Sequence, residues 1–191
     1  MLAALVCLQP GAFAGLEGAP PGTTPNGYFE QLAKSSRRGL YPRGFSGEQT
    51  YWTIVGVDGG GAHSALLSEE GAVEPSRGGF SVEPFLIVQG RLLSWADVTT
   101  GQTLEDNYLP MPEVRWKTPG WELRVRAFAS GDQAHSRLNL SYTVINDSNQ
   151  AGKVTLVLAV RPFQVDPPTQ TLNLRGGFSP IHTIDWNGRE V

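Results

Sequence analysis

The stretch Trp121-Glu-Leu-Arg-Val-Arg-Ala-Phe-Ala129 sets Leu123, Val125, Ala127 and Ala129 on one side and Glu122, Arg124 and Arg126 on the other. A period of two residues marks a half-buried antiparallel strand with one wet face. Residues 137–146 repeat the pattern, with Leu138, Leu140, Tyr142 and Val144 in phase. Residues 153–160 are almost continuously apolar, which reads as a central strand. Shorter runs rich in Val, Ile, Leu, Trp and Tyr cover 51–57, 64–68, 72–74, 80–88, 91–97, 114–117, 170–174 and 181–186. Gly, Pro, Asn and Asp separate them, and Gln89-Gly90 fits a two-residue hairpin loop. Pro110 and Pro112 stand before the strand that begins at Val114. No helical period follows residue 45. That many half-apolar strands need a second sheet to face, which predicts an all-β, antiparallel β-sandwich.

Residues 1–44 follow a different pattern. Met1 to Ala14 is apolar and ends in Ala-Phe-Ala, like a small-residue cleavage site, but it lacks a positive start and is broken at Pro10-Gly11. It predicts a short helix over 2–8. Gly18-Ala-Pro-Pro-Gly22 and Thr23-Thr-Pro-Asn-Gly27 are turn or linker chemistry, and 28–35 has room for two helical turns. The division is therefore a leader over 1–44, wrapping the domain or joining it to something upstream, and a β-domain over 45–191. The chain stops just after a strand and a turn at Asn187-Gly188, as an excised piece of a larger protein would. One pentapeptide recurs: Arg77-Gly-Gly-Phe-Ser81 and Arg175-Gly-Gly-Phe-Ser179, with Glu83-Pro-Phe85 faintly echoed by Arg161-Pro-Phe163. Two similar β halves or coincidence in a Gly-rich chain both explain it.

Charge narrows the partners. With 15 Lys and Arg against 18 Asp and Glu, the net charge is -3. No basic field is present to neutralise phosphates, so nucleic acid is not expected as a partner. The densest basic cluster, Arg37, Arg38 and Arg43, reads as solvated or paired with nearby carboxylates. No stretch approaches the roughly 20 apolar residues of a membrane helix. The single cysteine, Cys7, builds no disulfide, and His63, His135 and His182 lack ligand spacing, so no metal or other cofactor is expected. Asn139-Leu-Ser141 and Asn146-Asp-Ser148 match glycosylation sequons, which matter only in a eukaryotic secretory host.

Among chemical motifs, the phosphate-binding loop, the dinucleotide fingerprint, the G-x-S-x-G elbow and H-E-x-x-H are all missing from the sequence. Paired carboxylates are the remaining catalytic option, because glycoside hydrolysis needs an acid and a base roughly 5–10 Å apart. Glu83, Asp97, Glu122 and Asp185 have apolar neighbours, yet each equally suits a turn cap or a pair with Arg115, Arg124 or Arg161. No residue is assigned as catalytic. Sugar binding suits the composition better. Pyranose C–H faces stack on aromatic rings while polar side chains bond the hydroxyls. Trp121, after Pro119-Gly120, and Tyr108, in a loop, are the candidate rings, set against the usual core role of Trp. The stretch Arg161-Pro-Phe-Gln-Val-Asp-Pro-Pro-Thr-Gln170 is extended by Pro167-Pro168. It offers Arg161, Gln164, Asp166 and Gln170 to a ligand or a neighbouring domain, or serves as a rigid crossover between sheets.

Several segments together carry a resemblance: Tyr51-Trp-Thr-Ile-Val-Gly-Val-Asp58, Gly79-Phe-Ser-Val-Glu-Pro-Phe85, Ser94-Trp-Ala-Asp97, Leu109-Pro-Met-Pro-Glu-Val-Arg-Trp116, the 161–170 stretch and Gly176-Gly-Phe-Ser-Pro-Ile181. Over roughly residues 45–186 the chain resembles large bacterial proteins labelled as discoidin-type (coagulation factor 5/8-type) domain proteins, related to six-hairpin glycosidases. The resemblance implies a β-supersandwich of the galactose-mutarotase-like kind, set before a helical toroid that carries the catalytic carboxylates. It also implies an adjacent helical domain of the same polypeptide as partner, with carbohydrate as a possible second one. The expected function is a non-catalytic β-sandwich module of a carbohydrate-active protein. The alternatives are a lectin-like domain that binds sugar alone and a mutarotase-like or hydrolytic enzyme.

Overall fold

The computed structural model describes residues 23–170 and 176–185. The helix expected over 2–8, Cys7, residues 171–174 of the expected strand 170–174, Arg175, Trp186 and the turn expected at Asn187-Gly188 lie outside them. Among the described residues the strands are β1 (Trp52–Val55), β2 (Ala65–Ser68), β3 (Val73–Glu74), β4 (Ser81–Val88), β5 (Arg91–Leu93), β6 (Thr99–Glu105), β7 (Leu109–Thr118), β8 (Trp121–Ser130), β9 (Arg137–Asn146) and β10 (Val154–Arg161). They form two antiparallel sheets. One runs β1-β2-β3-β4-β10, with β5 also on β4; the other is the meander β6-β7-β8-β9. The all-β sandwich is thus the observed architecture.

Between the sheets lies the main core, built from alternate residues of each strand. Val55, Leu67, Val73 and Leu86 come from the first sheet, and Val114, Trp116, Leu123 and Val125 from the second. Gln102 Nε2 donates to Thr53 Oγ1 at 2.9 Å, tying the sheets together at their margin.

The meander shows why two elements depart from expectation. β6 is Thr-Thr-Gly-Gln-Thr-Leu-Glu, with little apolar signal, and forms because Thr suits extended backbone and β7 offers a partner. β7 starts at Leu109, five residues before Val114, and contains both prolines. β8 pairs with β7 only from Glu113 onward, so Pro110 and Pro112 occupy a stretch with one free edge, where a missing amide costs no ladder bond. The run 91–97 ends its strand at Leu93. Ser94 then opens a 3-10 turn over Trp95–Asp97, because its amide and hydroxyl both donate to Asp97 and closing that capping box bends the chain. Residues 181–185 form no strand; Pro180 lacks an amide and no strand lies alongside.

The outer face of the first sheet carries a third layer. Helix α1 (Pro25–Ser35) begins three residues before the expected start, because Thr24 caps it by accepting from Gly27 N and Pro25 fills its first position. Its Phe29 and Ala33 meet Phe45, Tyr41 and Phe163 in a second apolar cluster. Asn26 clamps the returning chain, donating to Gly176 O at 3.0 Å and accepting from Phe178 N at 2.7 Å. Residues 43–46 form a 3-10 turn against Pro167; a side chain at Gly44 would meet the Pro167 Cβ at 2.4 Å. The arginine cluster is paired: Arg37 with Asp97, Arg38 with Glu48, Arg43 with Glu69 and Glu70. Arg38 and Arg43 both lie over the Trp95 ring, 4.5 and 4.9 Å from its centroid.

Candidate functional site

The four carboxylates singled out from sequence are placed far from one another's chemistry. Glu83 is buried on the covered face of β4, accepting from Ser81 Oγ and from Arg161 Nη1, each at 2.8 Å. Asp97 is the third residue of its 3-10 turn and accepts from the capping residue Ser94. Its desolvation is outweighed by the bonds from Ser94 and by Arg37 and Arg91, and its carboxyl titrates below the usual range. Glu122 on the open face of β8 is bonded by Arg124, which also holds it low. Asp185 is exposed at the last described position.

Two carboxylates that the sequence reading passed over are as buried as Glu83. Glu70 sits in the β2–β3 turn, where its carbonyl accepts from Trp116 Nε1 at 2.8 Å and its carboxylate lies 2.7 Å from Arg43 Nε. Glu74 accepts from Gly78 N at 2.6 Å and Val165 N at 2.8 Å, joining two loops. Burial pushes both carboxyls above their usual range. Local sequence gives no sign of this, since Glu69-Glu70-Gly71 reads as a surface turn. Arg43, far back in the chain, meets Glu70, and Val165, far ahead, meets Glu74. The space left beside Glu70, Glu83 and Trp95 is about 30 Å³, room for about two waters and not a sugar ring.

The six binding candidates do not form one surface. Tyr108 is 73% exposed, in the β6–β7 turn that Asp106 and Asn107 close with positive φ. Trp121 is half-buried at the far end of β7, its ring against the 147–153 loop; a side chain at Gly152 would meet its Cζ2 at 3.0 Å. The two rings are separated by the length of β7, roughly 30 Å at ~3.3 Å per residue. The remaining four lie in the covered layer or at its edge. Arg161 pairs with Glu83 and lies over the rings of Phe163 and Tyr41, 4.7 and 5.3 Å away. Gln164 bonds Phe178 O through its side chain, and its amide donates to Gly177 O at 2.7 Å. Asp166 is buried, its carbonyl accepting from Gly177 N. Gln170 turns the chain through backbone bonds to Pro167 and Gly176. The 161–170 stretch therefore acts as an internal brace. The echoed pentapeptides also meet here, Ser179 Oγ donating to Gly78 O at 2.9 Å.

An open cleft lies elsewhere, at one end of the sandwich, with a volume of about 280 Å³. Ala129 and Leu138 give it some apolar surface, with Val55 and Ala65 buried behind them, while His63, Ser76, Ser136 and Arg137 supply polar groups. The loops around it are tightly held. Gly131 at φ 102 leaves no room for a side chain, whose Cβ would stand 2.2 Å from His135 O. Asp132 Oδ1 accepts from Ala134 N and His135 N, fixing the β8–β9 loop on itself. Sequence reasoning missed this site because its polar residues come from separate loops with no shared motif. Among the described residues no group of three or more His, Cys, Asp and Glu is placed to hold a metal ion, and no helix is long and apolar enough to cross a membrane. Comparison with family models, curated proteins and solved structures gave no match.

Proposed function

We propose that the chain is a non-catalytic β-sandwich module of a carbohydrate-active protein, and that it holds a saccharide residue in the cleft between β9 and the 56–65 segment. The observation that carries this reading is the cleft itself. Its size lies at the lower edge of the roughly 300–1,000 Å³ of small-molecule clefts. Its hydroxyl, imidazole and guanidinium groups suit ring hydroxyls, and Ala129 and Leu138 offer a small apolar contact for a pyranose C–H face. Glu83, Asp97 and Glu122 are engaged by Arg or by a cap and do not face one another across the cleft, which favours binding over bond cleavage.

A glycan array on the chain, with calorimetry on each hit, tests the reading. Ala134→Trp places a bulky ring at the exposed mouth of the cleft and should abolish the hit with little change in melting temperature. A hit that survives this substitution moves the site away from the cleft. An empty array removes sugar binding.

A second reading, support of an adjacent helical domain, is favoured by the open side of the sandwich. There β9 and β10 end their sheets, and Leu138, Leu140, Val154 and Leu156 are only partly buried. Appending that domain should protect these residues from hydrogen exchange; unchanged exchange would count against it.

A further inference from the structure

Arginines in this fold habitually hold a carboxylate. Arg37, Arg43, Arg91, Arg124, Arg126 and Arg161 each reach one at 3.4 Å or less. Arg137 is different: it is exposed, it lines the cleft, and it makes no ion pair among the described residues. We infer that the cleft selects a saccharide residue bearing a carboxylate, a uronic acid, with Arg137 as the partner of its anion. The inference rests on the reading of the cleft as a sugar site and names the class of sugar.

Three features carry it. A guanidinium presents paired N–H groups in a plane that matches a carboxylate at two points, so it fixes orientation as well as charge. The lining holds no Asp or Glu to repel an anion. The nearby Asp132 is turned onto its own loop, accepting from Ala134 N and His135 N and lying 3.3 Å from His135 Nδ1. Charge and shape together set the class: a uronate brings one negative charge in a planar group that one guanidinium matches, whereas a phosphorylated sugar brings about −1.5 to −2 at neutral pH. Ser76 and Ser136 then offer hydroxyls that donate or accept, as a ring with several hydroxyls needs, and Leu138 offers an apolar contact.

The test is an amide-resolved NMR titration of the whole chain with sodium glucuronate and galacturonate, against glucose and galactose at matched ionic strength. At least one uronate should shift the amides of His63, Ser76 and Arg137 and bind about tenfold more tightly than its neutral counterpart, the gain from one added charge-assisted contact. Arg137→Gln should bring the uronate down to the neutral sugar's affinity without lowering the melting temperature. Equal affinity for charged and neutral sugars overturns the selectivity and leaves the cleft as a sugar site. A uronate preference that survives Arg137→Gln overturns the role of Arg137. Amides that respond to none of the sugars overturn both this inference and the sugar-site reading beneath it.

Discussion

The outer faces of the two sheets use the same chemistry to different ends. On the first sheet, Glu83 and Arg161 pair under a third layer, their side chains 6% and 12% exposed. On the second, Glu122 pairs with Arg124 and Glu113 with Arg115 on a face without a third layer, the arginines 39% and 42% exposed and the glutamates 12% and 19%. A buried pair is dear to break because its surviving member is left charged and unsolvated; an exposed one is cheap because water replaces the partner. Composition alone does not distinguish the two faces. What distinguishes them is the covering segment: α1, the 43–46 turn and the 161–170 brace lie over one sheet and not over the other.

Removing Arg161 is the strongest way to break that contrast. Arg161→Met strands Glu83 beneath Phe163 and Tyr41 and should cost about 3–5 kcal/mol in denaturant unfolding. A cost below about 1 kcal/mol, the level of an exposed pair, would mean that water reaches Glu83 and that the layer is no true cover. Protease sensitivity of the 161–170 stretch should rise in step, since Arg161 is its first anchor.

Glu74→Gln follows in size. Both carboxylate oxygens accept from backbone amides, Gly78 N on one and Val165 N on the other. An amide side chain must turn its NH2 toward one of those donors, leaving both groups unsatisfied, at about 1–3 kcal/mol. Chemical denaturation of the two proteins measures it, and an unchanged midpoint would place water between Glu74 and its donors. That linkage spans 91 residues of sequence, which explains why it was illegible. The alternating strands were legible because one face of the second sheet meets water, so β8 and β9 show their period directly. The apolar run of β10 was read as central, yet β10 ends its sheet. Its Val154 and Leu156 face the main core while Arg161 lies under the covering layer. A continuous apolar run reports cover on both faces, not hydrogen-bonded neighbours on both edges. The cleft left no trace, because its polar groups are drawn from loops around residues 63, 76 and 136.

Carboxylates raised by burial and those lowered by their bonds should also part in their response to pH. Glu70 and Glu74, raised by burial, favour the fold most when protonated; that contribution is complete below the unfolded carboxylate pKa and is lost as pH rises through their higher folded values. Asp97 and Glu122 are lowered, so their contribution is present above the unfolded pKa and is lost as pH falls through the folded one. Asp97→Asn should therefore cost about 0.5–1.5 kcal/mol at neutral pH, as loss of a hydrogen-bond contribution does, with the difference from wild type shrinking as the pH is brought below about 4. A difference that stays constant across that range would assign the loss to geometry and not to charge.

The smallest effect sharpens the comparison most, because it isolates cover from chemistry. Arg124→Ala removes the same kind of partner from Glu122 that Arg161→Met removes from Glu83, but on the face without a third layer. Glu122 then faces water, and Lys117 and Arg115 remain close enough to attract it. The expected cost is about 0–1 kcal/mol, and it should fall further in high salt, since screening acts on exposed charges and little on enclosed ones. Denaturation at two ionic strengths, run beside Arg161→Met, gives both numbers on one scale. A loss from Arg124→Ala as large as that from Arg161→Met would mean that the open face is itself covered in the folded protein, and the difference between the sheets would vanish. A small, salt-sensitive loss ties the difference to the covering layer, since the paired residue types are identical on the two faces.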